Sequence, residues 1–404
     1  MSNSTVIVVG GGVVGLVTAL GLAQAGVDVT VYEARADVDG GTADMVYHWP
    51  VLPGLDRLGL VGEMESAGLL QQMWTYKVFR TGERILFDLS VLQDEVEHPH
   101  NIHLGVRDMS DILTAHLRRH PNARVESGVR IHAVSQDEHG VSVTCDGPTG
   151  PYTDRASWLV GADGAGSTVR RSLGLSLSGL TWPERLVSTT IRFDLGTLGF
   201  SGADYQVDPQ FGAVISSIDR DGAWRYGYVE DRTLREETIP ERMKRVFAAV
   251  LPAGSDPQVA EWSAYRMHER VAERFRVGRV LLVGDAAHIT NPTSAHGMTG
   301  GLFDAFALIE ALTSVVNGSD AGLLDRYADS RRGVFLEHTS PMSCDAKEFV
   351  FSIQDEHALE STLQQYRYVA AHPDRLRRYL RLAEQLQSPS LLTGRRIDSA
   401  FRTQ

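Results

Sequence analysis

Three glycines near the amino terminus have the spacing of a dinucleotide-binding turn. Gly10, Gly12 and Gly15 follow the β-branched run at residues 6–9 and precede an apolar stretch with helical spacing, and Glu33 closes the next apolar run. The first glycine permits a tight turn, the second lets backbone N–H groups approach a pyrophosphate, and the third lets helix and strand pack closely. The start of the helix favours the phosphate charge, and Glu33 would accept hydrogen bonds from ribose hydroxyls. FAD and NAD are both compatible with this pattern.

Two later turns also place an acidic residue at the end of a short apolar run. Residues 158–160 run into a glycine-acid turn that holds Asp163, and residues 280–283 run into one that holds Asp285. Runs of this length and composition are typical of strands that are buried on both faces, as in parallel sheets. Together with the first turn, they predict an α/β fold with acidic residues at the strand ends.

The segments between these turns predict a second domain of a different kind. Helical periodicity fades over residues 181–277, where aromatic and alternating stretches indicate antiparallel sheet, and residues 74–99 have the same extended character. The predicted fold is therefore α/β: a Rossmann-like dinucleotide-binding domain, an interrupting and mostly antiparallel sheet domain, and a helical C-terminal segment. The boundaries are 1–73, 100–180 and 278–340 for the first domain, 74–99 and 181–277 for the second, and 341–404 for the C-terminal segment.

Composition restricts the functional class. The chain has 404 residues, of which 43% are hydrophobic and 22% charged, as in a folded enzyme. A formal net charge of -12 argues against binding to nucleic acid or anionic membranes. The apolar run at 6–27 does not predict a membrane span, because three successive glycines interrupt it. Cys145 and Cys344 cannot form a disulfide framework or a thiolate metal cluster, so we expect a cytoplasmic protein without a metal.

The two later turns, with the residues that follow them, resemble the motifs of a known family. Residues 163–170 and 284–288, followed by Pro292, Gly297 and Asp304, are similar to the motifs of the single-component flavoprotein aromatic hydroxylases, the para-hydroxybenzoate hydroxylase family. The resemblance implies that the dinucleotide is FAD and that the interrupting sheet domain covers the substrate. It also implies that NADPH or NADH binds transiently as the reductant, and the sequence has no second glycine fingerprint for a dedicated nicotinamide domain.

The resemblance also assigns roles at the cofactor. Asp285 would hold the FAD ribityl chain, and the loop at 292–299 would pass the flavin ring. Asp163 would contact both the FAD pyrophosphate and the reductant, whereas Arg107 and Arg35 would reach the FAD phosphates. The expected cofactor-binding residues are Gly10, Gly12, Gly15, Glu33, Arg35, Arg107, Asp163, Asp285, Gly297, Met298 and Thr299.

A hydroxylase must activate the ring of its substrate and exclude water. His48 lies on the segment that should return past the flavin, so it is the expected base or hydrogen-bond partner for a ring hydroxyl. The resemblance adds Tyr205 and the carbonyl group of Pro292 as further catalytic contacts. An anionic substrate would pair with Arg192 or Arg225. The expected substrate-binding residues are His48, Tyr205, Ser216, Tyr226, Tyr228 and Pro292, and strand alternation places the last two tyrosines on one face.

We therefore expect an NAD(P)H-dependent FAD monooxygenase that hydroxylates a small phenol, hydroxypyridine or related electron-rich ring through a flavin hydroperoxide formed with O2. The alternatives are epoxidation or Baeyer-Villiger oxygen insertion on the same fold, and a flavin reductase or dehydrogenase without oxygen transfer. A halogenase is disfavoured because the six tryptophans stand far apart. A non-catalytic cofactor carrier is disfavoured because it would need neither Asp285 nor the loop at 292–299. The expected partners are the aromatic substrate and O2, and the expected state is a monomer or homodimer.

Overall fold

The structure of the protein, a computed structural model, describes residues 5–36, 44–219 and 222–395. The strands, in chain order, are β1 Thr5–Val9, β2 Asp28–Glu33, β3 Asp44–Tyr47, β4 Leu69–Gln71, β5 Met73–Val78, β6 Arg84–Asp88, β7 Asn101–Gly105, β8 Ala123–Ser127, β9 Arg130–Asp137, β10 Gly140–Gly147, β11 Gly150–Ala156, β12 Trp158–Gly161, β13 Leu177–Arg192, β14 Ala203–Val207, β15 Ala213–Ser217, β16 Ala223–Asp231, β17 Gln258–Ala272, β18 Arg276–Val277, β19 Val280–Leu282 and β20 His288–Ile289. The helices are α1 Val13–Gln24, α2 Leu52–Arg57, α3 Val61–Ala67, α4 Val106–Leu117, α5 Thr168–Ser172, α6 Ile239–Val250, α7 His296–Val316, α8 Gly322–Val334, α9 Ser340–Phe351, α10 Glu356–Ala371 and α11 Pro373–Leu380.

A six-stranded sheet carries the first predicted turn. Its strand order is β18-β19-β12-β1-β2-β8, and β1 lies at its centre, parallel to β2 on one side and to β12 on the other. The β-branched sequence of β1 suits this place, because helices cover both faces of such a sheet. Helix α1 packs against α4 and α7, and its apolar residues join the largest hydrophobic core of the protein. It ends at Gly26, whose φ of +81° is the left-handed conformation that glycine adopts after a helix.

An eight-stranded sheet forms the second layer, in the order β20-β17-β13-β16-β15-β14-β5-β6. All its strand pairs are antiparallel except β14 with β5. Each face has its own core. One face packs against α6, and the other packs against α9, α10 and α11. The C-terminal helices therefore cover one face of this sheet.

Two small sheets complete the fold. Strands β9, β10 and β11 form an antiparallel meander. Strands β3 and β4 both pair with β7, which places the segment that follows β2 beside the segment that leads into α4. The predicted fold class, α/β with an interrupting antiparallel sheet and a helical C-terminal segment, is confirmed.

The predicted domain boundaries differ from the sheets in detail. The boundary after residue 180 falls inside β13, and the boundary after residue 73 falls inside β5. Strand β18 joins the six-stranded sheet and β20 joins the eight-stranded sheet, each opposite to its predicted domain. The physical reason is that long strands run continuously past these positions and keep an extended pattern, so no change of composition marks the crossing.

One helix in the described part of the chain, α7, is long and apolar enough to span a membrane. Two thirds of its apolar window is buried inside the protein, where it packs against α1 and the six-stranded sheet. Core packing accounts for its composition.

Candidate active site

The carboxyl ends of four neighbouring strands meet at one edge of the six-stranded sheet. Strands β1, β2, β12 and β19 are parallel neighbours, so the turns that follow them share that edge. Gly10, Glu33, Asp163 and Asp285 stand at or directly after these ends. Ligands of open α/β sheets bind in this position. The residues predicted from three separate stretches of sequence thus lie at one edge of the sheet, where such folds have their binding crevice.

The glycines of the first turn serve two different purposes. A Cβ atom built on Gly10, whose φ is +110°, would lie 2.3 Å from the carbonyl oxygen of Ala162, and one built on Gly15 would lie 2.1 Å from the carbonyl oxygen of Gly10. These two positions accept only glycine because backbone approaches backbone. By contrast, no heavy atom of the described chain lies within 4 Å of a Cβ built on Gly12, so this position leaves open space at the start of α1. A pyrophosphate fits that space.

Glu33 is fixed beside the same turn. Its carboxylate accepts hydrogen bonds from the backbone N–H of Gly11 at 2.7 Å and of Arg35 at 3.0 Å, and Arg35 Nε lies 3.1 Å from it. Burial alone would raise the pKa of Glu33, but these hydrogen bonds outweigh burial and hold the pKa below its ordinary value. The charged carboxylate retains acceptor capacity for ribose hydroxyls. Arg35, which is about half exposed, supports Glu33 by this ion pair.

Asp163 builds the turn that follows β12. Its carboxylate accepts a hydrogen bond from Ser167 Oγ at 2.5 Å and from the N–H groups of Thr168 and Val169 at 2.6 and 3.1 Å. These bonds cap the first turn of α5, so the predicted contacts with FAD and the reductant compete with a local structural role. Arg170, the last residue of the motif at 163–170, donates a hydrogen bond to the carbonyl oxygen of Ala286 at 2.9 Å. This bond connects the turn at Asp163 to the turn that holds Asp285.

A buried network that the sequence did not predict supports the turn around Asp285. Asp304 accepts hydrogen bonds from the N–H of Gly284 at 3.1 Å, from His288 Nε2 at 2.6 Å and from Arg331 Nε at 2.7 Å. Asp304 and Arg331 are almost fully buried. Burial would raise the pKa of Asp304, but His288 and Arg331 together lower it, so the carboxylate stays charged. The network fixes the backbone on which Asp285 stands.

The Asp285 side chain is accessible to solvent although protein atoms surround it. Its carboxylate is exposed to solvent and makes no hydrogen bond or ion pair within the described residues, yet the surrounding protein raises its pKa by desolvation. A side chain that is accessible and also crowded by protein atoms lies on the wall of a cleft. An unpaired carboxylate in that place fits a hydroxyl-bearing cofactor chain, as the ribityl chain of FAD is.

The loop before α7 is anchored by a pair that the sequence did not reveal. Both the backbone N–H and the side-chain amide of Asn291 donate to Glu269 Oε1, at 2.8 and 2.6 Å. The loop then turns through Ala295, whose φ of +54° is a left-handed conformation that favours glycine. The carbonyl oxygen of Pro292 accepts the N–H of Ala295 at 3.3 Å. The turn places the first N–H groups of α7, including that of Gly297, at the crevice, where no carbonyl of the helix can accept them.

His48 lies against this loop. Its Nδ1 is 2.8 Å from Thr299 Oγ1, and its ring centre is 5.8 Å from that of His296. Burial, with His296 and His103 nearby, lowers the pKa of His48 to about 3, and burial lowers the pKa of His296 to about 4. The pKa of His103 is also about 4, because burial outweighs its hydrogen bond to the backbone of Ser217. Three neutral imidazoles therefore gather between the loop and the end of β15.

The predicted substrate-binding residues of the eight-stranded sheet lie on two different faces. Ser216 lies opposite both Ala203 and Arg225 in the strand register, so Tyr205, Ser216 and Arg225 share one face. Tyr205 joins the apolar cluster that also contains Trp49, which follows His48 in sequence. Burial raises the pKa of Tyr205 to about 12. This face therefore shares its apolar cluster with the segment that carries His48.

The prediction that Tyr226 and Tyr228 line the same cavity is wrong. They lie opposite Ile215 and Ala213, which places them on the other face, in the core beneath α6. The ring of Tyr226 packs edge-on against Phe247 of that helix at 5.6 Å. Strand alternation correctly places both tyrosines on one face, but the sequence did not show that α6 covers that face.

The predicted arginines lie in different surroundings. Arg107 is exposed in the first turn of α4, and Arg192 is exposed at the end of β13. Arg225 is partly buried, and its Nη1 donates to Ser188 Oγ at 3.0 Å. Of the two residues predicted to meet an anionic substrate, only Arg225 is both sheltered and on the face of Tyr205.

Comparison with known proteins defines the class. The chain matches the family described as FAD binding domain over residues 3–339, and it belongs to that family. The observed crevice fits FAD, with an open space at Gly12 for the pyrophosphate and an unpaired carboxylate at Asp285 for the ribityl chain.

Similar proteins of known activity indicate the class of reaction. The chain is 41% identical over 385 residues to 6-hydroxy-3-succinoylpyridine 3-monooxygenase of Pseudomonas putida, covering 95% of this chain and 98% of that protein. It is 40% identical over 341 residues to para-nitrophenol 4-monooxygenase of a Pseudomonas species, covering 83% and 84%. The crystal structure of p-nitrophenol 4-monooxygenase from Pseudomonas putida superposes with a TM-score of 0.91 at 35% identity, covering 95% and 98%. The protein is an NAD(P)H-dependent FAD monooxygenase that hydroxylates aromatic compounds.

Proposed function

We propose that the protein hydroxylates a small ring that carries its own hydroxyl group, a phenol or a hydroxypyridine, and that His48 receives this hydroxyl. The observation that carries the proposal is the contact of His48 Nδ1 with Thr299 Oγ1 at 2.8 Å. It holds the imidazole against the loop that we expect to pass the flavin ring, and the next residue, Trp49, packs in the cluster that includes Tyr205.

The hydrogen bonds of Thr299 indicate which nitrogen of His48 faces the substrate. The Thr299 hydroxyl lies 3.4 Å from the carbonyl oxygen of Ala295, to which it can only donate. His48 Nδ1 then donates to the hydroxyl oxygen, and Nε2 carries no proton. Within the described residues Nε2 makes no hydrogen bond. We assign Nε2 as the acceptor for the substrate hydroxyl.

The low pKa of His48 supports one of its two predicted roles, that of a hydrogen-bond partner. A group whose pKa is about 3 is neutral at physiological pH and does not retain a proton from a phenol. We therefore infer that His48 accepts a hydrogen bond from the ring hydroxyl without taking up its proton. The phenolate character gained in this way makes the ring carbon more nucleophilic.

The start of α7 completes the proposed chemistry. FAD, reduced by NAD(P)H, supplies the oxygen-transferring chemistry with O2. The free N–H groups at Gly297 and Met298 favour negative charge beside the loop, because they belong to the first turn of a helix. Asn291 and Glu269 keep that turn in place. We assign Gly297, Met298 and Thr299 to the flavin side of the site and Pro292 to its substrate side.

Arg225 is the proposed partner for a polar substituent of the substrate. It shares a face with Tyr205 and Ser216, is partly buried, and is fixed by Ser188. The named substrates of the two relatives are a hydroxylated succinoylpyridine and a nitrophenol, each a ring with a hydroxyl and a second polar group. A guanidinium can donate two parallel hydrogen bonds to a carboxylate or nitro group.

The experiment is a substrate panel of phenols, hydroxybenzoates, nitrophenols and acidic hydroxypyridines with NADH or NADPH in air, in which oxygen uptake, peroxide and product mass are followed together. We expect one class to stimulate oxygen uptake and gain 16 daltons, the mass of one oxygen atom. Turnover of an unsaturated substrate without oxygen uptake would contradict hydroxylation and favour a reductase. The R225M variant should lose the preference for acidic rings while it retains bound FAD.

Three further properties are also proposed. The six-stranded sheet and its helices would hold the cofactor, and the eight-stranded sheet with the C-terminal helices would hold the substrate. The acidic composition, with a net charge of -12, and the two free cysteines suit a cytoplasmic protein that binds neither nucleic acid nor membrane. A monomer or homodimer is expected, and sedimentation analysis of the purified protein tests this.

A further inference from the structure

A group of histidines and carboxylates lies outside the crevice, where α2 and α3 meet the segment that leads into β7. Glu65 on α3 and the nearby pair His98 and His100 each offer one ligand atom, and these atoms lie within 4.8 Å of one another. His98 belongs to a second such group, with Asp56 on α2 and with Glu97. Two imidazoles and three carboxylates thus converge on one place.

The distances are close to those of a metal site. His100 Nε2 lies 3.0 Å from Glu65 Oε1, and His98 Nε2 lies 3.8 Å from Asp56 Oδ2. Ligand atoms about 2.0–2.2 Å from a tetrahedral zinc ion are about 3.3–3.6 Å from one another. The two observed separations bracket this value, and all ligand atoms within each group lie within 4.8 Å of one another.

His98 gives an independent indication of a ligand. Its Nε2 is buried and has no hydrogen-bond partner within the described residues, although the rest of the cluster is polar. A buried polar nitrogen without a partner is unfavourable by about 1–3 kcal/mol. The His100–Glu65 contact is a hydrogen-bonded ion pair, but Asp56 lies 3.8 Å from His98 Nε2, which is too far for a hydrogen bond.

We propose that this cluster binds one divalent transition-metal ion of the zinc class through His98, His100 and Glu65, with Asp56 or Glu97 nearby as a further oxygen ligand. Imidazole nitrogen and carboxylate oxygen are ligands that suit such an ion. The three carboxylates give the cluster a negative charge that a dication offsets. The ion would join α2 and α3 to the segment before β7.

The site lies next to residues that support the active site, which gives the ion a plausible structural effect. Asn101 follows His100 directly, and its Oδ1 accepts the backbone N–H of Trp49 at 2.9 Å. His103, two residues further along β7, lies in the neutral imidazole group with His48. A metal at His100 would therefore hold the start of the strand that positions these contacts. The inference does not depend on the proposed substrate class.

The test uses the untagged holoenzyme, stripped of metal by a chelator and titrated with zinc sulfate. We expect one zinc ion per chain to remain after gel filtration, by elemental analysis, and slower amide exchange in residues 97–105 when zinc is present. The H98A and H100A variants should both lose the ion. The H116A variant is the matched control, because His116 pairs with Glu63 on the same helix α3 at 2.9 Å but belongs to neither group.

Flavin content and melting temperature without zinc show whether each variant is folded. A folded H98A or H100A variant that still retains one zinc ion would overturn the proposal. A wild-type protein that retains none after gel filtration would overturn it as well. Loss of the ion in H116A to the same extent as in H98A would place the ion elsewhere, and it too would contradict the assignment.

Discussion

His48 Nδ1 lies 2.8 Å from Thr299 Oγ1, a contact between residues 251 positions apart in sequence. One residue follows the small sheet strand β3, and the other stands in the first turn of α7. The contact brings the proposed substrate acceptor and the flavin-side loop into one rigid unit. The 3.4 Å contact of the Thr299 hydroxyl with the carbonyl oxygen of Ala295 supports the proposed tautomer of His48.

The first prediction concerns this pair. H48A should keep FAD but lower the rate of hydroxylation by about 10-fold, the effect of losing one hydrogen bond to the substrate. T299V should show a smaller loss of the same kind, whereas T299S should retain activity because it keeps the hydroxyl. Product formed per NAD(P)H consumed measures the effect. H132A, an exposed histidine paired with Asp146, serves as the control.

The pH dependence of the same residue has a defined sign. Burial and the neighbouring imidazoles lower the pKa of His48 to about 3, so the imidazole is already neutral above that pH. An unperturbed histidine titrates between about pH 5 and 8. Because His48 does not, the wild type and H48Q should show the same pH dependence of kcat/KM in that range. An inflection near pH 6.5 that disappears in H48Q would contradict the neutral acceptor.

The second prediction separates two glycines of the first turn. G12A should leave the stability of the apoprotein unchanged, because no described atom lies within 4 Å of the added Cβ, but it should weaken FAD binding. G15A should destabilise the apoprotein by about 1–3 kcal/mol, since its Cβ would overlap a backbone carbonyl. Urea unfolding of the apoprotein and FAD titration measure the two effects. Tight FAD binding by G12A would show that the pyrophosphate lies elsewhere.

The third prediction concerns the ribityl contact. D285A should purify with little flavin, while the apoprotein should be as stable as the wild type or more so, because the carboxylate has no partner in the described chain and burial raises its pKa. D329A, at an exposed position on α8, is the matched control. A fully yellow D285A protein would remove Asp285 from the cofactor site.

Short sequence motifs were sufficient to predict the strand ends at which the expected cofactor-binding residues lie. Glycine spacing, apolar runs and strand-ending acids are set by backbone chemistry over a few residues, so Gly10, Glu33 and Asp285 were placed at the correct strand ends. The buried ion pair that holds the turn around Asp285 could not be predicted from the sequence. Asp304 and Arg331 are 27 positions apart and meet only because α7 and α8 pack together.

The fourth prediction concerns that support. D304N should destabilise the apoprotein by about 3–5 kcal/mol, because it leaves the buried Arg331 guanidinium without its counter-charge. The paired carboxylate has a lowered pKa, so its stabilisation is present above the unfolded pKa of about 4 and is lost as pH falls through the folded pKa. Urea unfolding at several pH values measures both effects, with D329N as the control. A change under about 0.5 kcal/mol would contradict the network, since surface substitutions fall in that range.

The fifth prediction compares the two faces of the eight-stranded sheet. Y205F and S216A should raise KM or lower the product yield per reductant. Y228F should change neither, because Tyr228 lies beneath α6. Its hydroxyl is buried and has no hydrogen-bond partner among the described residues, so Y228F should also be as stable as the wild type or slightly more. A large activity loss in Y228F would place the substrate on the opposite face.

The error about this face has a physical origin. Strand alternation shows that two residues share a face, but which face meets the cofactor depends on where distant helices pack. Helix α6 covers Tyr226, and α9 to α11 pack on the side of Tyr205. The loop anchor between Asn291 and Glu269 was hidden for the same reason, since it joins two segments that only the folded sheet brings together.

The central claim is that the enzyme transfers one oxygen atom of O2 to a ring that already carries a hydroxyl group. The most direct test is turnover of the active panel substrate under isotopically labelled oxygen, with mass spectrometry of the product. We predict one labelled oxygen atom per product molecule, formed with consumption of one NAD(P)H. A product whose new oxygen comes from water, or one that forms without oxygen, would contradict the account.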